Sequence, residues 1–341
     1  MFSLPTVFII GAGANSELGM PTGASLKNGI ANDLNFARDS NGLNRGDRDL
    51  FELLVNRFRE SSERYTEGGI ELSRLMNKFA SIDEALHWFS SRPEVVSLGK
   101  VGIVKKILEI ERGSRLFNVS DPELARDVEY PECWVPEFLS MAVGSLKREE
   151  VEKIFSRTSL VNFNYDRTVE HFLYSNLVST FGFSRDEAKN ALLNLNIIRP
   201  YGSVGQLPWQ AKAASTAVPF GMNHGNNHQQ LFTLTGNIRT FTEQAESQVK
   251  EQIQTTMTAA RVIVLLGFGF HQQNMSILLG AKPLGKRIFA TVLEIDKENH
   301  ENLARNLDGV FQNNGSVRPQ LLDRRCYKFL QTMRLSIMAP L

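Results

Sequence analysis

The feature that most constrains this chain is a recurring pair: a short apolar run that ends in a glycine or polar turn. It occurs as VFII before GAGANS, SLV before NFNYD, NII before RPYGS, and VIVLL before GFGFHQQN. Runs without polar alternation suit strands covered on both faces, as in a parallel sheet. The segments between them carry helical signals. Ser81 to Glu84 and Ser184 to Glu187 have capping-box spacing, in which the hydroxyl accepts an amide and the carboxylate reaches back. In GKVGIVKKILEIE, Val104, Ile107, Leu108 and Ile110 form a helical stripe, with Lys105, Lys106, Glu109 and Glu111 on the other side. Residues 36–68, rich in Arg, Asp, Glu, Asn and Ser, read as a solvated helix with flexible flanks, and another helix is expected over about 242–259. Strand and helix in alternation predict an α/β fold, a Rossmann-like parallel sheet with helices on both faces.

Composition narrows the function. The 341 residues suffice for a large core, and a net charge of +1 gives none of the basic excess of a nucleic-acid binder. Cys133 and Cys326 are the only cysteines, too few for a disulfide framework and without the CxxC pair of a structural zinc. They fit a reducing compartment. The opening MFSLPTVFII lacks a basic n-region and runs into the glycine turn, so no signal peptide is expected. No apolar run approaches the length of a membrane span. A cytoplasmic protein with no membrane contact is expected.

Ligands of open parallel sheets bind beyond the carboxyl ends of the strands, so the four turns are expected to converge on one crevice. Gly11, Ala12, Gly13, Ala14, Asn15 and Ser16 would let backbone approach a pyrophosphate. Ser16 stands where a third glycine would complete the usual fingerprint, and the alternative is a tight turn without ligand. Asn164 can orient a water or a ribose hydroxyl. Asp166 can hold a ribose hydroxyl or stabilise a cationic sugar-like transition state. The competing reading is an Asx cap on the next helix. Tyr201, followed by Gly202 and Ser203, is a poor base at neutral pH but a reasonable donor or stacking surface. Gly267 and Gly269 around Phe268 again permit close approach, and His271 is a candidate acid or base, or a structural turn residue. His224 and His228 have metal-like spacing but sit in a Gly/Asn loop with no third ligand, so no metal site is expected.

In this order, GAGANS with GMPTG, NFNYD, PYGSVG and LLGFGFHQQNM resemble the sirtuin-like family, in its bacterial NAD-consuming branch found in antiphage defence. The resemblance spans roughly the whole chain. It implies one NAD-binding domain over 1–341 with a mostly helical insertion at 30–157. It implies a glycine loop at Gly11 to Ser16, a segment covering the cofactor at Pro21 and Thr22, a catalytic Asn164 and a ribose-side Asp166. Gly202 and Ser203 fall in the family's His-Gly-Ser motif, and Gly267 to Gly269 at its later nucleotide-contacting strand. Two departures stand out. The family's zinc module is missing, which argues against a deacetylase. Tyr201 occupies the position of the catalytic His. Cleavage of the nicotinamide–ribose bond is less demanding, because nicotinamide leaves readily and the site must mainly place a water and stabilise an oxocarbenium. The implied activity is an NAD+ glycohydrolase with NAD as substrate and no metal, whose base is His271 or a partner-supplied group, with Tyr201 positioning the ribose. A separate sensor or regulatory protein, or a homo-oligomer, would switch it. The alternative is a catalytically silent NAD- or ADP-ribose-binding subunit of a defence complex. A hydride-transfer dehydrogenase ranks behind both, since Asp33 is its one candidate for the acid that grips the ribose.

Overall fold

The structure is a computed structural model that describes residues 1–40, 42–121, 123–126, 129–144, 146–223, 225, 228–240, 247–279, 285–312 and 317–340. Six strands form one sheet: β1 (Thr6–Ile10), β2 (Thr158–Asn162), β3 (Asn196–Ile198), β4 (Val262–Leu266), β5 (Arg287–Thr291) and β6 (Gln320–Leu322). They lie in the order β3-β2-β1-β4-β5-β6, and every pair is parallel. The order therefore reverses between β1 and β4, the switch point at which doubly wound sheets open a ligand crevice. The expected α/β architecture is what the chain adopts.

β1 and β4 are buried along their whole length, which is why neither alternates. Phe8 of β1 packs edge-on to Phe138, 5.0 Å between ring centroids, from the helix Trp134–Val143, and edge-on to Phe2 at 5.6 Å. Each such fully buried ring contributes about 1.5–3 kcal/mol. Register then sets the site. Ile10 lies beside Asn162 on one side and Leu266 on the other. The residues that follow, Gly11, Phe163 and Gly267, leave the sheet at one level.

The chain divides into two compact units. One, Met1–Met20, Arg115–Pro200 and Ala245–Leu341, holds the sheet. The other joins Pro21–Ser114 to Tyr201–Gln244. In the second unit, Thr22 caps the helix Gly23–Leu34 by accepting the Ser25 amide. The stretch expected to be one solvated helix begins instead as an antiparallel pair, Ala37–Asp39 with Gly42–Arg45. NGLNRG carries turn-forming residues, and the helix Arg48–Phe58 starts only where Asp47 accepts the Leu50 amide at 2.7 Å. The expected stripe of Val104, Ile107 and Leu108 is buried on the long helix Pro93–Gly113. Lys105 and Glu111, expected outside, are buried too, because this helix is covered on more than one face. Lys105 pairs with Asp47 at 2.8 Å and with Glu109, and Glu111 accepts the Gly221 amide. Asp33 is engaged with Lys106 at 2.7 Å, which removes the one acid a dehydrogenase reading relied on.

The expected helix at 242–259 is present as Ser247–Ala259, and residues 241–246 lie outside the described residues. So does His224, and with it the metal-like pair. Among the described residues no helix is long and apolar enough to cross a membrane.

Candidate functional site

The glycine turn answers first to packing. The Gly11 amide continues the ladder to the Leu266 carbonyl, and the Gly13 amide donates to the Gly267 carbonyl, each at 3.0 Å. A Cβ on Gly11 would overlap the Gly267 carbonyl oxygen and come within 2.7 Å of Phe268 Cα. Gly267 has φ 54°, and a Cβ there would overlap the Ala14 amide nitrogen. The turns after β1 and β4 thus interlock backbone on backbone. The Ala14 amide also turns inward, to the Gly11 carbonyl at 3.1 Å. Three amides that the sequence offered to a phosphate are therefore spent inside the protein, and the glycines serve close approach of chain to chain.

The polar chemistry comes from the turn after β2. Asn164 is 7% exposed, and its backbone groups and one Nδ2 proton are held. Its amide donates to Asn162 Oδ1 at 3.0 Å, its Nδ2 to the Gly11 carbonyl at 3.1 Å, and its own carbonyl accepts from Arg199 at 2.5 Å. Asp166 is buried. Its carboxylate accepts Asn15 Nδ2 at 2.8 and 3.1 Å, the Thr168 amide at 3.1 Å and the Thr168 hydroxyl. Its bond to the Thr168 amide is an Asx turn leading into the helix Thr168–Ser179, whose N-cap is Arg167, and its bonds to Asn15 tie that turn to the glycine turn. Asn15 Oδ1 and Asn162 Nδ2, both fully buried, have no hydrogen-bond partner among the described residues. Each such group costs about 1–3 kcal/mol unless a water or a ligand meets it.

Beyond β4, Phe268 stands edge-on between Phe163, at 5.1 Å, and Phe270, at 5.4 Å. Phe270 is left-handed at φ 49° without being glycine, an arrangement that costs about 1–3 kcal/mol and collects at functional sites. His271 is exposed and sits at the N-cap of the helix Gln272–Leu278. Ser16 is exposed, with its hydroxyl on the Gly13 carbonyl at 2.7 Å, while Ala14 is buried and Ala12 half-buried.

The first unit thus brings together Gly11 to Ser16, Asn164, Asp166 and Gly267 to Gly269. Pro21, Thr22, Tyr201, Gly202 and Ser203 belong to the second. There Gly202 forms an antiparallel bridge with Ile238, the Tyr201 carbonyl accepts the Arg239 amide at 3.0 Å, and the Ser203 hydroxyl donates to the Gly205 carbonyl. Burial, with Asp83 adding, pushes the Tyr201 phenol well above its ordinary value. It stays protonated, as a donor rather than a base.

Three residues of this neighbourhood escaped the sequence reading: Arg199, Glu170 and Glu17. Arg199 grips Glu170 through Nε at 3.0 Å and through its terminal nitrogen at 2.6 and 2.7 Å, and the pair is largely buried. Glu17, just past the glycine turn, accepts the Trp134 amide at 2.9 Å and the Tyr327 amide at 3.2 Å, at the starts of two helices. Burial outweighs those donors and raises its carboxyl from 4.5 to about 7. The native state thus binds a proton that the unfolded chain has shed between these values, so stability falls as pH rises from about 4.5 to about 7. The loss is at most about 3 kcal/mol, reduced by solvent screening. Glu17→Gln should match the wild type in urea unfolding at pH 5 and exceed it at pH 8. Both cysteines are free and buried, and burial raises the Cys133 thiol to about 12, so neither offers a thiolate.

Among the described residues no group of three or more His, Cys, Asp or Glu is placed to hold a metal ion. No protein-family model matches the chain, and no curated protein does. Among solved structures it is similar to a triple-mutant Sir2 homologue in complex with 2'-O-acetyl ADP ribose, at 13% identity and a TM-score of 0.38, over 98% of this chain and 94% of that one.

Proposed function

We propose that the chain is an NAD+ glycohydrolase, which adds water across the nicotinamide–ribose bond to give nicotinamide, ADP-ribose and a proton. The observation that carries the reading is the buried polar cluster at the switch point, with Asn164 held on the Gly11 carbonyl and Asp166 on Asn15. One Nδ2 proton of Asn164 anchors the side chain on the Gly11 carbonyl, and Oδ1, its acceptor, orients the attacking water. The Asp166 carboxylate supplies negative charge beside a developing oxocarbenium. Little more is needed where the leaving group departs readily. The sirtuin-like motifs support NAD as the dinucleotide and a role as an NAD-depleting effector of antiphage defence. A chain that destroys NAD must be held off until needed, so a regulatory partner or a homo-oligomer switches it. Full activity in a lone monomer would refute that last point.

A second reading is favoured by one observation: Tyr201, kept protonated by burial, provides no base where the family has His. On that reading the chain is a silent NAD- or ADP-ribose-binding subunit. Nicotinamide release from NAD+, followed by mass spectrometry, separates the two. Release should fall at least about 100-fold in Asn164→Ala. A variant as fast as the wild type removes Asn164 from the site. Wild-type ADP-ribose binding without release, in every oligomeric state and with the genetic neighbour added, selects the silent subunit.

A further inference from the structure

The geometry points to Arg199 and Glu170 as positioning residues for Asn164: the ion pair fixes the backbone of the NFNYD turn and so aims the Asn164 side chain. This rests on the role given to Asn164 above. Arg199 follows β3 directly, and Glu170 lies in the first turn of the helix Thr168–Ser179. The guanidinium therefore spans from one strand end to the helix that follows the other, with the Asn164 carbonyl on its remaining arm at 2.5 Å. A guanidinium holds such an arrangement rigidly, because its donors form a planar fork.

Two observations set this apart from ordinary stabilisation. The helix does not need the pair for its start, since Asp166 already accepts the Thr168 amide. A buried ion pair is also a poor source of stability, because well-packed apolar residues of similar volume generally serve as well or better. What the pair adds is restraint. With it, the backbone amide and carbonyl of Asn164 are fixed and Nδ2 is anchored on the Gly11 carbonyl, which leaves Oδ1 and the second Nδ2 proton to meet a ligand.

The test follows from that difference. In the full chain, the double variant Arg199→Met with Glu170→Met removes both charges together and should melt close to the wild type. Its KM for NAD+ should stay within about twofold while kcat falls about 100-fold, the penalty of a misaimed group. Arg199→Lys, whose ammonium can hold Glu170 or the Asn164 carbonyl but not the same fork, should lie between. A double variant with wild-type kcat, or one that loses only KM, shows the pair to be structural and overturns the inference. If the double variant does not fold, Arg199→Lys decides, and full kcat in it overturns the inference equally. A wild-type chain that releases no nicotinamide in any oligomeric state, with its genetic neighbour added as well as alone, overturns the glycohydrolase reading and this inference with it. The wild-type assay thus tells the two failures apart.

Discussion

Gly267→Ala is expected to lower stability by about 2–5 kcal/mol and, on the proposed function, to abolish ADP-ribose binding together with nicotinamide release. Two terms add. An alanine at φ 54° carries about 1–2 kcal/mol of left-handed strain. Its Cβ would also overlap the Ala14 amide and approach Gly13 Cα to 2.7 Å, and backbone cannot retreat as a flexible side chain can, so about 1–3 kcal/mol more follows. Gly19→Ala is the control. Gly19 has φ 82° but nothing within 4 Å of a built Cβ, so it reports the strain alone. Urea midpoints of the two variants separate the terms. Equal midpoints would mean that the turns after β1 and β4 do not interlock in solution.

Glu170→Ala is expected to lower stability by about 3–5 kcal/mol, because it strands the Arg199 guanidinium in a largely buried place with only the Asn164 carbonyl to receive it. Glu170→Gln keeps an acceptor and should lose less. Lys153→Met, which breaks a solvent-exposed pair with Glu150 and leaves the Glu150 contact with the Lys147 amide in place, should leave the unfolding midpoint unchanged. A Glu170→Ala chain as stable as the wild type would show that water reaches the pair.

The parts of this fold that sequence reveals are those whose environment is uniform. β1 and β4 are covered on both faces, so their runs are apolar without interruption. β6 is three residues long and half exposed, and QLL carries too little pattern to announce a strand. The Ser184–Glu187 capping box is complete in the structure. Near Ser81, Glu84 bonds the Ala80 amide instead, one residue off the expected reciprocal contact. The site divides the same way. Turn positions at strand ends follow from spacing, but what each side chain does there depends on residues far away in the chain. Asn15 was read as part of a backbone loop, and its amide proves to hold Asp166. The glycines suggested a phosphate, yet the clearest reason for them is the Gly267 turn. Arg199 and Glu170 left one faint signal: a charge beside the buried Ile198, and an acid among the buried residues of the helix Thr168–Ser179.

The placement of β1 has a consequence for how the protein is made. Thr6 lies beside Val262, so the central strand is synthesised about 250 residues ahead of one of its two neighbours. At about 10 residues per second, roughly 25 s pass before β4 leaves the ribosome. Until then the five residues of β1, four of them apolar, lack half their sheet partners, a hazard that slow, long-range pairing shares with other parallel folds. The same delay has a second effect. The Gly11 and Gly267 turns do not interlock until β4 is made, so whatever the site at the switch point does, a chain released short of Gly267 lacks it.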